Sequence, residues 1–393
     1  MIARVLIPLL LSIVLSDAYL SYRFLRRRRW PWHLLWWMPA FCLMVWTVLL
    51  SREKNFIPDP PEPLYLYLFL YGLLVVPKLA FTLFSCVGAL LARVCRSRRN
   101  YGEPLGLLVA LFLLYALFYG TFVGADQIEV RRVSVAFDDL PPAFDGYRIV
   151  QFSDAHVGTY TGGRQPFLQR AVDSINAQRA DLIAFTGDLQ NIRPEEIEPH
   201  VALLKKLKAK DGVFSVVGNH DYAEYVDTDY ITKALNFEKT VSLEQDMGWK
   251  VLINSRRFVR RGQDSIVVAG MDNDGEGRFP ANGSINSALW GVMRSQFVVM
   301  LEHDPSSWRR KILPHSHVQL TLSGHTHGGQ FSLGGWSPAS FRYREYDGLY
   351  CVGGRCLHVS RGLGGVIPFR FGATGEIVVI TLKKKTEVEK PQS

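Results

Sequence analysis

Two histidines one residue apart, His325 and His327, lie in the run TLSGHTHGGQ (321–330), directly after the apolar stretch HVQLTL. Side chains two apart in an extended segment point to the same side, and the flanking glycines leave room for both imidazoles. Asp154 and His156 repeat that spacing in SDAH. Asp188 follows DLIAFT, Asn219, His220 and Asp221 follow VFSVV, and His303 follows QFVVML. Neutral imidazoles, carboxylates and a carboxamide oxygen suit hard-to-borderline divalent cations. Two such cations about 3.5–4 Å apart clamp the attacking and leaving oxygens of a phosphoryl displacement, and a water shared between them is hydroxide near neutral pH. An adjacent imidazole can then act as general acid. Taken singly the motifs are weak, since Asp and His often end strands as turn-formers. Their strength lies in the complete set, in this order, each behind an apolar run.

Those residues need elements that deliver them to one place. From Tyr147 onward, strand-length apolar runs end repeatedly in the polar residues just named. Helix-patterned stretches at 166–178 and 194–209 separate the first three runs. That is βαβ order, which predicts a largely parallel sheet at the start of the domain. Ligands in open α/β sheets collect outside the carboxyl ends of the strands, so five such ends would converge on one site. The run IEVRRVSVAF (128–137) alternates as a further strand, and the charged tail at 385–393 is expected to be disordered.

The first third has a different composition. Residues 1–125 hold 13 Lys and Arg against 5 Asp and Glu, and the remainder holds 32 against 31. The net charge of +9 therefore belongs to the first third, and the rest lacks the basic balance that a nucleic-acid partner would require. Ile2–Leu20, His33–Leu50, Leu64–Ala92 and Pro104–Ala125 each approach the roughly 20 apolar residues that span a bilayer. Pro77 interrupts the third and predicts a kink. Lys78, beside it, is either an intramembrane site with Asp17 as partner or a snorkelling or bundle-facing lysine. The arginine-rich loops RFLRRRR (23–29) and RVCRSRR (93–99) lie at alternate span ends. The positive-inside rule places them in the cytoplasm and everything after Ala125 outside, that is, in the periplasm of a cell inner membrane. Arg131 and Arg132 run against that rule. Cys351 and Cys356 flank Gly353-Gly354. A two-residue turn there makes them a facing pair within disulfide reach, in keeping with an oxidising location.

The motifs Asp154-x-His156, Gly187-Asp188, Gly218-Asn219-His220-Asp221, His303 and Gly324-His325-Thr326-His327 resemble those of the calcineurin-like metallophosphoesterase superfamily, over about 146–382. SDAHVG, GHTHGGQ and VSRGLGGVIPFRFGATGEIVVITL are similar to its membrane-anchored bacterial branch. That branch includes phosphodiesterases proposed to act on lipid-linked substrates and is similar to UDP-2,3-diacylglucosamine pyrophosphatases. The resemblance implies an α/β fold, a four-layer αββα sandwich over 126–384, preceded by an all-α region of four transmembrane helices over 1–125. It implies a binuclear site holding Mn, Fe or Zn. Asp154, His156, Asp188 and His327 would hold metal one. Asp188, Asn219, His303 and His325 would hold metal two, with Asp188 bridging. His220 would contact the phosphate or protonate the leaving oxygen, oriented by Asp221.

Other residues carry weaker signals. His315 and His317 share the two-residue spacing but begin a strand, which puts them at the far edge of the sheet. His200 and His358 have no metal-competent neighbour in sequence. The loop RGLGG (361–365) is a turn or a phosphate cradle in which Arg361 touches substrate. Trp336, Phe341 and Tyr343 follow the histidine doublet and belong either to the core or to an apolar rim facing lipid. The expected function is an integral-membrane phosphoesterase cleaving phosphodiester or pyrophosphate bonds of a lipid-linked substrate. The rival readings are a lipid A enzyme of the pyrophosphatase type with a cytoplasmic domain, a catalytically silent sensor, and a transporter. The transporter is disfavoured by the scarcity of charge inside the spans.

Overall fold

The computed structural model describes residues 2–53, 56, 58, 61–226, 228–277 and 279–385. Most of the tail expected to be disordered, beyond Lys385, lies outside them. The chain divides into two units, Met1–Val123 and Gly124–Ser393.

The first unit consists of α1 (Ile2–Leu20), α2 (Trp30–Leu50), α3 (Glu62–Leu74), α4 (Val76–Val94) and α5 (Gly102–Phe122). α3 and α4 break at Val75 and together make one span of 33 residues, Glu62–Val94. Pro77 has no N–H to offer the carbonyl four residues back, and its ring crowds that turn, which accounts for the break. Among the described residues, four helices are thus long and apolar enough to cross a membrane. Leu35, Leu83 and Leu108 are all more than half exposed, as expected of helices that are apolar all round and face lipid. Lys78 does not snorkel away: its Nζ lies 2.7 and 2.9 Å from the two carboxylate oxygens of Asp17, which is fully buried. The Trp36 ring lies 5.2 Å from the same ammonium.

The second unit is built on two six-stranded sheets. The strands are β1 (Ile128–Phe137), β2 (Arg148–Phe152), β3 (Leu182–Thr186), β4 (Val213–Val216), β5 (Lys250–Val251), β6 (Ser255–Arg261), β7 (Asp264–Gly270), β8 (Phe297–Leu301), β9 (Leu320–Ser323), β10 (Gly348–Val352), β11 (Arg355–Val359) and β12 (Gly375–Lys384). One sheet has the order β1-β12-β2-β3-β4-β5 and the other β10-β11-β9-β8-β7-β6. β2, β3 and β4 are parallel, as are β7, β8 and β9. Alternate residues of each strand face opposite layers. Ile149, Leu182, Phe214, Val268, Val299 and Leu320 meet between the sheets. Val150, Ile183 and Phe185 turn outward against Phe167, Ala171 and Ile175 of α6 (Gln165–Ala177). On the other sheet, Val267, Val298 and Met300 turn outward against Trp308 and Ile312. Both faces of the central strands are covered, which is why they read as continuous apolar runs. The result is the four-layer αββα sandwich.

Two local features deserve their physical reasons. The helix-patterned stretch at 194–209 folds instead as short 3-10 turns, Pro194–Glu196 and Glu198–His200, followed by α7 (Val201–Leu204). Pro199 supplies no backbone donor and pushes Glu198 away from α geometry, so one continuous helix is blocked. Gly353 and Gly354 both adopt positive φ, at 57° and 77°. This is the two-residue turn that places Cys351 opposite Cys356, and the two are joined in a disulfide.

Candidate metal centre

The carboxyl ends of β2, β3, β4, β8 and β9 meet at one edge of the sandwich. Main-chain bonds tie them together there: Asp154 N–H donates to Gly187 O at 2.9 Å, and Gly324 N–H donates to His303 O at 3.0 Å. At this edge the backbone leaves extended geometry abruptly. Asp154, His156, Asp188, His325 and His327 all have positive φ, between 46° and 72°. An L residue in that region costs roughly 1–2 kcal/mol, so such a cluster persists only where surrounding structure dictates it. Gly324 has a separate reason to be glycine. A Cβ there would fall on Ser153 Oγ and Asp154 Oδ2.

All nine residues singled out in the sequence come together. Two groups of ligand atoms are each close enough to share an ion: Asp154, His156, Asp188 and His327, and Asp188, His303 and His325. Asp188 belongs to both. Its Oδ2 lies 3.7 Å from His156 Nε2 and 3.2 Å from His303 Nε2. Asp154 Oδ1 lies 3.4 Å from His327 Nε2. Three imidazoles turn Nδ1 to a main-chain oxygen: His156 to Gln190 O at 3.1 Å, His303 to Thr186 O at 2.7 Å, and His327 to Gly364 O at 3.3 Å. A carbonyl can only accept, so Nδ1 carries the proton and Nε2 keeps its lone pair for a cation. His325 points Nδ1 inward, 3.1 Å from His303 Nε2, while its Nε2 meets Tyr343 Oη at 2.7 Å. Asn219 lines the same cavity, with Nδ2 donating to Tyr225 Oη at 3.2 Å.

The roles of His220 and Asp221 separate. His220 Nδ1 lies 2.5 Å from Asn191 O, and the ring stacks on Tyr225 at 4.4 Å. Asp221 does not orient that imidazole. Its carboxylate instead accepts the N–H groups of Asp188, Leu189 and Gly218 at 2.8–2.9 Å. A side chain next in sequence projects elsewhere in the 3-10 turn His220–Tyr222, so the expected coupling within GNHD is replaced by anchorage of the neighbouring loop. Glu196 continues it, accepting from Asn191 and Ile192 N–H at 2.6 and 3.1 Å.

The donor set fits a divalent cation. His156 Nε2 and Asn219 Oδ1 are buried with no hydrogen-bond partner, an arrangement that costs free energy unless something else coordinates them. Burial opposes the Asp188 charge, but His303, His220 and His156 around it hold its carboxyl well below the usual range. Burial and the neighbouring His220 pull His156 down to about 3, and burial pulls His325 to about 4. Asp188 is thus charged, and the His156 and His325 imidazoles near it are neutral. Burial works against a proton on His303, yet Asp188 and Asp154 raise it to about 10. The site draws positive charge to the place where a cation would sit.

Above this floor opens a cavity of about 720 Å3, lined among others by Asp188, Asn219, His220, His325 and His327. Tyr225, Phe279, Arg342 and Tyr343 also line its walls. Phe341 and Trp336 are not core residues: they are 83% and 47% exposed, on the segment that follows the histidine doublet. Arg361 is taken up by Asp347 and Glu129. A groove of about 1220 Å3 elsewhere is lined by Trp290, His315 and His317, and neither histidine belongs to a metal-competent group among the described residues. His358 is buried against Gln151. The carbonyls of Gln190, Asn191, Thr186 and Gly364 were invisible in sequence, because a main-chain oxygen leaves no residue signature. Tyr225 was missed as well, although it stands only five residues after His220.

Residues 147–329 match the family described as Calcineurin-like phosphoesterase. The protein is 32% identical over 274 residues to an uncharacterized metallophosphoesterase, YkuE, of Bacillus subtilis, covering 67% of this chain and 89% of that one. The chain is a calcineurin-like metallophosphoesterase. The membrane helices of this metallophosphoesterase also have relatives, since residues 3–125 match Probable Calcineurin-like phosphoesterase, transmembrane domain. A transmembrane protein with metallophosphoesterase domain from Danio rerio is 29% identical over 330 residues, 80% of this chain and 72% of the relative. Among solved structures, a phosphopantetheinyl hydrolase from Mycobacterium tuberculosis aligns with a TM-score of 0.35 and 12% identity, over 57% of this chain and 91% of that one.

The packing at Gly324 makes one consequence for this metallophosphoesterase directly measurable. Gly324→Ala must displace Ser153 or Asp154 and is expected to lower metal affinity by roughly 10–100-fold. Gly163→Ala, where a Cβ meets nothing within 4 Å, should leave affinity unchanged. Calorimetric titration of the chelator-stripped protein compares the two, and equal affinities would contradict the crowding argument.

Proposed function

We propose that this membrane metallophosphoesterase hydrolyses phosphodiester or pyrophosphate bonds of a lipid-linked substrate, with two divalent cations (Mn, Fe or Zn) held by the two ligand groups that share Asp188. The shared carboxylate at the floor of an open cavity is the observation that carries this reading. Such cations, when bound, supply Lewis-acid charge to phosphoryl oxygens and an activated water. Asp154, His156, Asp188 and His327 would hold one, and Asp188, Asn219, His303 and His325 the other. His220 lines the cavity with Nδ1 tied to Asn191 O, which leaves Nε2 as the atom that exchanges a proton with the leaving oxygen. Asp221 and Glu196 act through the backbone, keeping Gln190 O and Asn191 O where His156 and His220 need them.

The roles of these residues predict separable losses. Asp188→Asn should abolish hydrolysis together with bound metal. His220→Ala should retain most of the metal yet lose on the order of 10²–10⁴-fold in kcat. Metal analysis beside kinetics decides, and a His220 variant that loses its metal or stays fully active removes the assigned role.

Support for a lipid-linked substrate comes from Phe341 and Trp336, exposed apolar side chains on the segment leading to the cavity wall at Tyr343. Exposed aromatics of this kind suit acyl chains or the bilayer interface. The catalytic unit is also nearly neutral by sequence, without long-range attraction for nucleic acid. In detergent micelles, the full-length protein should turn over lipid phosphoesters with a higher kcat/KM than water-soluble nucleotides. Equal or better turnover of the nucleotides would end the lipid assignment.

The arginine-rich loops 23–29 and 93–99 support an orientation with the catalytic unit on the extracytoplasmic side of the inner membrane. A reporter active only in the periplasm, fused after Lys385, should therefore be active. A reporter active only in the cytoplasm inverts the topology and reopens the pyrophosphatase-type reading.

A further inference from the structure

The ligand candidates are not all held in place by the same means. His156, His303 and His327 lean on main-chain carbonyls, which move only if the backbone moves. Asn219 and His325 lean on phenols. Asn219 Nδ2 donates to Tyr225 Oη at 3.2 Å, and His325 Nε2 meets Tyr343 Oη at 2.7 Å. Each phenol oxygen is placed to accept from Asn219 Nδ2 or His325 Nε2, which leaves the other polar atom of each side chain for the centre. An amide that donates through Nδ2 is left with Oδ1 turned the other way, and Asn219 Oδ1 is the buried oxygen without a partner. An imidazole whose Nε2–H is taken by an oxygen presents the Nδ1 lone pair, and His325 Nδ1 is the atom beside His303 Nε2. Without the phenols, the Asn219 amide could present its NH2 group inward and His325 could change tautomer.

Both tyrosines also form part of the cavity wall. Tyr225 stacks on His220, and Tyr343 stands edge-on to His325 with centroids 5.4 Å apart. His325 belongs to the ligand group with Asp188 and His303, and on the proposed two-cation reading Asn219 joins that same group. In the other group, His156 and His327 are held by main-chain oxygens, and Asp154 accepts the N–H of His325 at 3.0 Å.

We propose that Tyr225 and Tyr343 are positioning residues for one cation position alone, the one formed by Asp188, Asn219, His303 and His325, and that they set its affinity by fixing which atoms of Asn219 and His325 face the ion. The inference rests on the two-cation reading of the site. It makes the centre asymmetric. One position is built on backbone, and the other depends on two side chains that share a wall with whatever occupies the cavity.

The test uses full-length protein in detergent micelles, stripped with chelator and titrated with Mn2+ by calorimetry and electron paramagnetic resonance. The parent protein should bind two ions. Tyr225→Phe and Tyr343→Phe keep the rings and remove only the hydroxyls. Each should weaken one binding step by about 10–100-fold, the usual effect of losing an outer partner of a metal ligand. The other step should stay within about twofold of the parent, which also shows that the site has folded. Raising Mn2+ should restore kcat in both variants. Tyr350→Phe, whose hydroxyl serves the N–H groups of Tyr346 and Asp347, should leave both steps unchanged. Two steps weakened equally, or neither weakened, overturns the proposal while the two-cation reading stands. A parent protein that binds a single ion overturns that reading and the proposal with it.

Discussion

A carboxylate buried among imidazoles is the constraint around which the catalytic unit is arranged. Asp188 is 1% exposed, and three histidine rings surround it. An ionised carboxylate removed from water is strongly penalised unless opposite charge or donated hydrogen bonds compensate it. His220 N–H supplies one such bond at 2.8 Å. Otherwise the pocket around Asp188 offers ligand nitrogens, which is compensation of the kind a cation completes. Left-handed backbone at five candidate ligand positions follows from the same demand, since side chains from separate strand ends can reach one point only if the chain turns sharply at each end.

The loop from Gly187 to Ile192 shows how that turn is kept. Asp221 receives N–H groups from Asp188 and Leu189, and Glu196 receives those of Asn191 and Ile192. Two carboxylates thereby collect consecutive main-chain donors and leave the carbonyls of Gln190 and Asn191 facing His156 and His220. Burial and the nearby Asp188 charge push Asp221 up to about 7, and burial pushes Glu196 to about 7 despite its bonds. These acids sit where isolated carboxylates would be unfavourable, and the donors of one loop are what hold them there. The His220 imidazole is therefore placed through backbone, and the residue next to it in sequence serves a different partner.

The membrane unit meets a related problem with a different solution. Lys78 and Asp17 lie within predominantly apolar helices, and they meet in a two-pronged ion pair with the ammonium near the Trp36 ring. A charge in an apolar bundle is tolerated when its partner is at hand. The break between α3 and α4 lies just ahead of Lys78, so the proline that interrupts the helix and the lysine that needs a partner occupy the same turn.

Much of this was legible in the residues alone. Four spans were visible because a bilayer requires long apolar runs, and the kink was visible because proline lacks a donor. Each candidate ligand was visible because a buried strand in a parallel sheet is a continuous apolar run, which makes the polar residue at its end conspicuous. Other features required the tertiary structure. β12 comes from the far end of the chain to lie between β1 and β2, a pairing of residues more than 200 apart that no local pattern encodes. Pro199 turned an apparent helix into short turns. Whether Asp221 served His220 or the loop at 187–192, and whether Tyr343 belonged to the core or to the wall of the site, depended on directions in space. Periodicity reports which face of an element is apolar. It does not report which oxygen an imidazole will find when strands from two sheets are brought edge to edge.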